Sequence, residues 1–137
     1  MIKIICGEKG KGKTKEMLSQ ANDSVQHADG SIVYIDKSTQ HIYELNNKIR
    51  LIDMTEYPVN AYDGFIGFIC GLLAGNHDIE KVYIDSVLKL SKLTADEIEK
   101  AVEELDKISE DVEFVVSVSA NKDDLSDSVQ EKIFISC

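Results

Sequence analysis

A glycine-rich octapeptide near the N-terminus constrains this chain more than any other feature. Residues Gly7 to Thr14 read Gly-Glu-Lys-Gly-Lys-Gly-Lys-Thr, which matches the phosphate-binding pattern G-x-x-x-x-G-K-[ST] at every fixed position. An apolar run of strand type, Met1 to Cys6, precedes it, and residues 15–28 after it contain neither proline nor glycine. A strand, a glycine-rich turn and a helix form the arrangement that such a phosphate site requires.

The octapeptide and the lysine that follows it supply the residues that we expect to bind a nucleotide. The glycines let successive backbone N–H groups point at phosphate oxygens. Lys13 can reach the β- and γ-phosphates, and the Thr14 hydroxyl can ligate Mg²⁺. The predicted nucleotide-binding residues are Gly7, Glu8, Lys9, Gly10, Lys11, Gly12, Lys13, Thr14 and Lys15.

With these residues the chain resembles the P-loop NTPases over its whole length. More narrowly, it is similar to short stand-alone bacterial ATP-binding proteins, some of them labelled as relatives of twitching-motility ATPases. The resemblance implies that the chain binds Mg·ATP, and it carries over only the nucleotide-binding core of Gly7, Gly12, Lys13, Thr14 and one aspartate. The histidine-containing motifs and coupling arginines of the much larger motor ATPases cannot be placed in this sequence.

The alternation of apolar runs with helical stretches predicts the fold class. At 137 residues the chain is expected to form one domain, residues 1–137. The expected fold is α/β, a three-layer P-loop NTPase fold with a mainly parallel sheet of five to six strands. The predicted strands are Lys3–Cys6, Ser31–Asp36, Lys48–Asp53, Lys81–Asp85, Val112–Ser119 and Lys132–Ser136. The predicted helices are Lys13–Ala28, Tyr62–Gly75, Thr94–Ser109 and a short one near Asp124–Glu131.

An aspartate that ends a strand is the expected second partner of Mg²⁺. Asp85 ends the apolar run Lys81 to Asp85 and is our choice, with Thr14 as the other protein contact. Asp53 and Asp36 also end predicted strands and remain alternatives, because parallel strands bring all their carboxyl ends to one edge of the sheet.

Two features of the sequence predict that ATP hydrolysis is slow or depends on a partner. Asp85 is followed by Ser86, whereas many similar ATPases have a water-activating glutamate there; Asp36 or Glu56 could substitute, so the catalytic residue stays unassigned. Arg50 is the single arginine, and arginine is the usual clamp for transition-state charge in phosphoryl transfer. A nucleotide-dependent switch without turnover is the competing, non-enzymatic class.

Two other nucleotide-dependent functions remain open. Residues Asn121 to Asp124 read Asn-Lys-Asp-Asp, which matches the N-K-x-D pattern with which GTPases read guanine, although neither Asp53 nor Asp85 begins the D-x-x-G motif that GTPases need. Ser119 and Asn121 are the polar candidates for sensing the γ-phosphate in an ATPase. A small-molecule kinase is the other hypothesis, and the scarcity of arginine argues against it.

The helix predicted at Tyr62–Gly75 carries apolar residues on nearly every side, with Gly67, Gly71 and Gly75 repeating every four residues. A helix of this kind must be covered on every side. Either the helix packs closely against the sheet under neighbouring loops, or an apolar strip that faces solvent forms an interface with a second copy or a protein partner.

Charge and cysteine content limit the binding partners, the metal sites and the cellular location that we expect for this chain. The net charge of −10 argues against nucleic-acid binding, because a phosphate backbone needs a basic face. Cys6, Cys70 and Cys137 predict neither a disulfide framework nor a zinc site, and the first two are expected in the core. The longest apolar segment, about Ala61 to Ala74, is too short to span a bilayer. With no signal peptide recognised, we expect a cytoplasmic protein.

Overall fold

Strands and helices alternate along the computed structural model, which describes residues 1–108 and 111–137. The strands are β1 (Ile2–Gly7), β2 (Ser31–Asp36), β3 (Ile49–Asp53), β4 (Ile79–Ile84), β5 (Glu113–Ser119) and β6 (Ile133–Ser136). The α-helices are α1 (Lys13–Ser24), α2 (Tyr62–Gly75), α3 (Val87–Ser91), α4 (Ile98–Ile108) and α5 (Asp127–Gln130). Short 3₁₀ helices lie at Ile42–Glu44, Met54–Glu56, Ala95–Glu97 and Lys122–Asp124.

Within the described residues the strands form one six-stranded sheet in the order β3-β2-β4-β5-β1-β6. Every pair of neighbouring strands is parallel, so all carboxyl ends meet at one edge. The predicted α/β fold with a parallel sheet is therefore confirmed. The order also places β5 between β1 and β4, and β3 at the outer edge.

The core has two parts because helices cover both faces of the sheet. One part packs Met17, Leu18 and Ala21 of α1 against residues of the sheet that include Tyr34 and Tyr83. The other packs α2, α3, α4 and α5 against the opposite face. Side chains alternate along each strand, so residues two apart on one strand share a face, and Tyr34 and Asp36 both belong to the α1 face.

Most predicted elements agree with the structure to within a few residues. α1 ends at Ser24, four residues before the predicted Ala28, and the chain then continues in turns. The helix predicted from Thr94 begins as a 3₁₀ turn, with the expected capping box between Thr94 and Glu97, and its predicted end, Ser109, lies outside the described residues. α3 was not predicted, because five residues without a capping signal resemble a loop.

The glycine ridge of α2 faces away from the sheet. Tyr62, Phe65 and Ile69 form the buried face, while a Cβ atom placed on Gly67, Gly71 or Gly75 would meet nothing within 4 Å. α2 therefore packs on the sheet through its larger apolar side chains, and the glycines themselves do not contact the sheet. Cys70 lies on the exposed side as well, so its expected place in the core is wrong. Cys6 is buried, as predicted.

None of the helices in the described part of the chain has the length and apolar character needed to cross a membrane.

Candidate nucleotide-binding site

Backbone conformation explains the glycines of the Gly7–Thr14 loop. Gly10 and Gly12 have φ angles of +84° and +95°, in the left-handed region that other residues rarely adopt. Gly7 is required by close approach instead, because a Cβ there would lie 2.9 Å from the Cβ of Cys137. The loop therefore curls between β1 and α1 in a shape that larger residues at these positions would disturb.

Lys13 and Thr14 open α1, where the first turn of a helix leaves backbone N–H groups without intrahelical partners. The Lys13 side chain turns back over the loop, and its Nζ donates to the Glu8 carbonyl oxygen at 3.1 Å. Lys13 is only 8% exposed. The positive end of the helix and this buried ammonium group together make the loop attractive to an anion.

An open cleft lies between the loop and the carboxyl ends of the neighbouring strands. Positive charge dominates its walls, with Asp85 as the one acidic side chain among the described residues that line it. The lining residues are Lys9, Gly10, Gly12, Lys13, Thr14, Lys15, Lys37, Asp85, Ser86 and Ser119. Six of the nine predicted nucleotide-binding residues therefore line the cleft, and Gly7, Glu8 and Lys11 do not.

Asp85 follows the last residue of β4 and is held by hydroxyl groups from both neighbouring strands. Tyr34 Oη on β2 donates to Asp85 Oδ2, and Ser117 Oγ on β5 donates to Asp85 Oδ1, each at 2.8 Å. The Asp85 residue is 2% exposed. A buried carboxylate with a hydrogen bond to each oxygen is fixed in orientation, and each oxygen keeps a second lone pair for another partner.

Strand order separates the three candidate aspartates. Neighbouring strands lie about 4.8 Å apart, so β4 lies about 10 Å from β1, β2 about 14 Å and β3 about 19 Å. Asp85 lines the cleft together with Thr14. Asp53 instead accepts hydrogen bonds from the Thr55 backbone and hydroxyl, capping the 3₁₀ turn after β3. The structure thus brings Asp85 to the loop and leaves Asp53 at the far edge.

Asp36 is the second acidic residue near the cleft. Its Oδ1 accepts from the Lys37 N–H at 2.7 Å, whereas Oδ2 is buried with no hydrogen-bond partner among the described residues. Burial raises the pKa of the Asp36 carboxyl, the hydrogen bond from Lys37 opposes that rise, and the charge of Asp85 adds to it. A buried carboxylate oxygen without a partner is costly to retain.

The remaining sequence candidates lie in different places. Arg50 is exposed on the edge strand β3, and Glu56 is exposed in the turn that follows it. Asn121 reaches the loop, where its Nδ2 donates to Glu8 Oε1 at 2.6 Å. Asp124 lines a separate cleft beside the start of α4.

Sequence reasoning missed Tyr34, Ser117 and Lys37. A tyrosine and a serine within strands give no local signal of a carboxylate partner, because both contacts join strands that are far apart in sequence. A weak signal existed for Lys37, which directly follows a strand-end aspartate on the edge where ligands bind in α/β sheets.

No cluster of three or more histidine, cysteine, aspartate or glutamate side chains suited to a metal occurs within residues 1–108 and 111–137. Such a cluster is not needed for Mg²⁺ in a phosphate site, because Mg²⁺ binds through one or two protein oxygens, water and the phosphates themselves. The Thr14 hydroxyl and the Asp85 carboxylate provide hard oxygen atoms of that kind. The Asp36 oxygen that has no hydrogen-bond partner in the described part of the chain lies on the same face of the sheet as Asp85.

No family model matches the chain, and no curated protein has a significantly similar sequence. Solved structures do match. The chain is similar to the flagellar accessory protein FlaH from Methanocaldococcus jannaschii, with a TM-score of 0.60 and 15% identity, covering 95% of this chain and 65% of that one. It is also similar to PCH-2 from C. elegans, with a TM-score of 0.53 and 16% identity, covering 98% of this chain and 34% of that one.

These likenesses show the fold alone, a parallel sheet flanked by helices. The chain spans less than two thirds of FlaH and about a third of PCH-2. Their activities and partners therefore do not transfer with the fold.

Proposed function

We propose that this chain binds Mg·ATP in the cleft at the carboxyl edge of its sheet. The observation that carries the proposal is the presence of Lys13, Thr14 and Asp85 on one cleft, at the start of α1. This combination offers an ammonium group, a hydroxyl and a carboxylate to the phosphates and to the ion bound with them. The fold of the chain supports the same conclusion.

Charge in the cleft fits a nucleoside triphosphate. Lys9, Lys13, Lys15 and Lys37 line it, in a chain whose net charge is −10. Such local concentration of positive charge favours a ligand that carries several negative charges. In the proposed complex Lys13 releases the Glu8 carbonyl and contacts phosphate oxygens, while the N–H groups of the loop and of the first turn of α1 donate to others.

Thr14 and Asp85 are the residues that we propose hold Mg²⁺. The ion, when bound, neutralises charge that develops on the phosphates. Asp85 remains hydrogen-bonded to Tyr34 and Ser117, so its free lone pairs suit a water molecule bound to the ion. Asp36 would then gain a polar partner for its orphan oxygen.

For hydrolysis we propose that Asp36 orients the attacking water and accepts its proton. Of the two substitutes for a glutamate after Asp85, Asp36 lies on β2 beside β4, whereas Glu56 follows the edge strand β3. Burial raises the pKa of the Asp36 carboxyl above its usual range, which makes the carboxylate a better base. Lys37, next in the chain, lines the cleft and offers a positive charge to the phosphates.

The same geometry supports slow turnover by the isolated chain. Arg50 lies on β3, about 19 Å from β1 by strand spacing, and cannot clamp a phosphate on its own loop. An arginine at the transition state accounts for about 10³–10⁵ in rate, and a lysine lacks the planar fork that makes this clamp effective. We therefore propose that a second copy or another protein supplies what the site lacks.

Guanine recognition and kinase activity receive less support. Asn121 touches the loop, but Asp124, the residue that would pair with guanine, opens onto another cleft with Ala95 and Ile98. A kinase would require cationic side chains around a second substrate, and the single arginine lies on the edge strand.

Calorimetric titration with ATP and with GTP, each with and without Mg²⁺, tests the proposal. We expect ATP to bind more tightly than GTP and Mg²⁺ to strengthen the binding. Preference for GTP would support the guanine-binding alternative, and the absence of binding by either nucleotide would contradict the proposed function. Tight ATP binding with no turnover would indicate a switch instead of an ATPase.

A further inference from the structure

We propose that Tyr34 and Ser117 are positioning residues that hold the Asp85 carboxylate in the orientation needed for a divalent cation. The inference rests on the proposed function, since it concerns how the same site holds Mg²⁺. It assigns a role to two residues that lie inside strands of the sheet and do not line the cleft.

The two hydroxyls approach Asp85 from opposite sides. β4 lies between β2 and β5, so Tyr34 on β2 and Ser117 on β5 flank the carboxylate. Each donates to a different oxygen, at 2.8 Å in both cases. Tyr34 and Ser117 are both 0% exposed, so water does not compete for these bonds.

Ser117 also links the carboxylate to the turn that follows it. Its Oγ accepts from the Ser86 N–H at 2.6 Å while donating its own hydrogen to Asp85. Ser86 has φ +63°, a conformation that is uncommon for a residue with a side chain. The hydroxyl therefore holds both Asp85 and the strained backbone at Ser86, which itself lines the cleft.

Tyr34 is fixed in turn by its neighbour on β4. Its ring stacks on that of Tyr83, with centroids 6.1 Å apart and planes 15° apart. The Tyr83 hydroxyl points elsewhere and donates to the Gln20 carbonyl of α1 at 3.2 Å. These two buried tyrosines on neighbouring strands differ in the partner of the hydroxyl, and Tyr83 is therefore a matched control.

The two hydrogen bonds to Asp85 fix the orientation in which its carboxylate meets a divalent cation. Hydrogen bonds to a charged acceptor are short and directional, so they limit rotation of the carboxylate. One lone pair on each oxygen stays available. Loss of such an outer partner weakens metal affinity by roughly 10–100-fold in other metal sites.

The hydroxyls could instead serve only to satisfy a buried carboxylate, and the test must separate these roles. A purely structural role would change stability without changing the effect of Mg²⁺. The quantity to measure is therefore the ratio of ATP affinity in Mg²⁺ to ATP affinity in EDTA. Calorimetry gives this ratio for purified protein without any need for turnover.

The variants are Tyr34→Phe and Ser117→Ala, with Tyr83→Phe and Ser91→Ala as controls. Ser91 is a buried serine whose hydroxyl donates to the Leu88 carbonyl within α3. We expect the Mg²⁺ effect to fall roughly tenfold or more in the first pair and to stay at the wild-type level in the controls. Ser117→Thr retains a hydroxyl and should recover the Mg²⁺ effect that Ser117→Ala loses.

An unchanged Mg²⁺ effect in Tyr34→Phe and Ser117→Ala would overturn the inference while leaving the proposed function standing. Equal losses in Tyr34→Phe and Tyr83→Phe would also overturn it, because they would indicate a general effect of core packing. Failure of the wild-type protein to bind ATP would instead contradict the proposed function itself.

Discussion

Tyr34 Oη donates to Asp85 Oδ2 across 2.8 Å in the buried layer between the sheet and α1. Tyr34 precedes Asp36 by two residues on β2, so both side chains project to the α1 face. The bond therefore joins β2 to the end of β4, beside the cleft. The Asp36 carboxyl lies on the same face of the sheet as the Asp85 carboxylate. Burial is the main cause of the raised pKa of Asp36, and the charge of Asp85 adds to it, as expected for neighbouring acidic groups.

Asp85→Asn should weaken the dependence of ATP binding on Mg²⁺ by roughly 10–100-fold. The amide keeps the shape of the carboxylate and removes the charge that faces the ion. Asp53→Asn is the matched control, because Asp53 caps a turn at the far edge of the sheet. Calorimetric titration of ATP across a series of Mg²⁺ concentrations measures both. An equal or larger effect of Asp53→Asn would show that the wrong aspartate has been chosen.

Asp36→Asn should lower turnover and raise stability at neutral pH. Turnover should fall by roughly 10²–10⁴-fold if Asp36 accepts the proton of water. The pKa of Asp36 in the folded chain is raised above its ordinary value of 3.8. Ionisation therefore costs folding free energy as pH rises through the raised pKa, and below 3.8 the carboxyl is neutral in both states.

Thermal unfolding of Asp36→Asn and wild type between acid and neutral pH tests the sign of this effect. The variant's advantage in midpoint should be present at neutral pH and shrink towards pH 3.8. An advantage that is the same at every pH would exclude ionisation of Asp36 as its cause. Unchanged turnover would show that another group activates the water.

Asp124→Ala should leave the ratio of ATP to GTP affinity unchanged. Asp124 lines a different cleft from the one beside the glycine-rich loop. A nucleotide bound at the loop would therefore not place its base against Asp124. If Asp124 did read guanine, its loss would leave donors unmatched and cost about 1–3 kcal/mol of GTP binding. Competition titrations with the two nucleotides distinguish these results, and a selective loss of GTP affinity on that scale would support guanine recognition.

Gly71→Leu should abolish self-association and the turnover that depends on it, if α2 forms an interface. The folded monomer should tolerate the change, because the new side chain would enter open space and leucine favours a helix over glycine by about 0.5–1 kcal/mol. Sedimentation at several concentrations and thermal unfolding give the two readouts. If Gly71→Leu assembled and turned over ATP as wild type does, α2 would not form the interface.

The glycine-rich loop was predictable because each residue of its pattern acts locally. Gly10 and Gly12 meet a backbone requirement, and Lys13 and Thr14 follow at once at the start of α1. The order of the strands was not predictable in this way. It depends on how helices pack across the sheet, and that order makes Asp85 the nearest of the three aspartates to the loop.

The burial of α2 shows where composition fails. Its apolar residues outnumber what one face can hold, so the sequence could not indicate which side meets the sheet. In the structure Phe65 and Ile69 are buried against the sheet, and the glycines lie on the opposite side of the helix. The hydrogen bonds of Tyr34 and Ser117 to Asp85 were equally hidden, since each joins residues more than 30 positions apart.

The Lys13 ammonium group is the side-chain contact through which we propose that the cleft binds a nucleotide. Lys13→Ala should weaken Mg·ATP binding by roughly 30-fold or more, since loss of one partner of a buried charge pair costs about 2–5 kcal/mol. Lys48→Ala removes the same charge from an exposed residue just before the edge strand β3 and should bind nearly as tightly as wild type. Calorimetric titration of the three proteins with Mg·ATP is the direct measurement. Wild-type affinity in Lys13→Ala, or equal losses in both variants, would contradict nucleotide binding through Lys13.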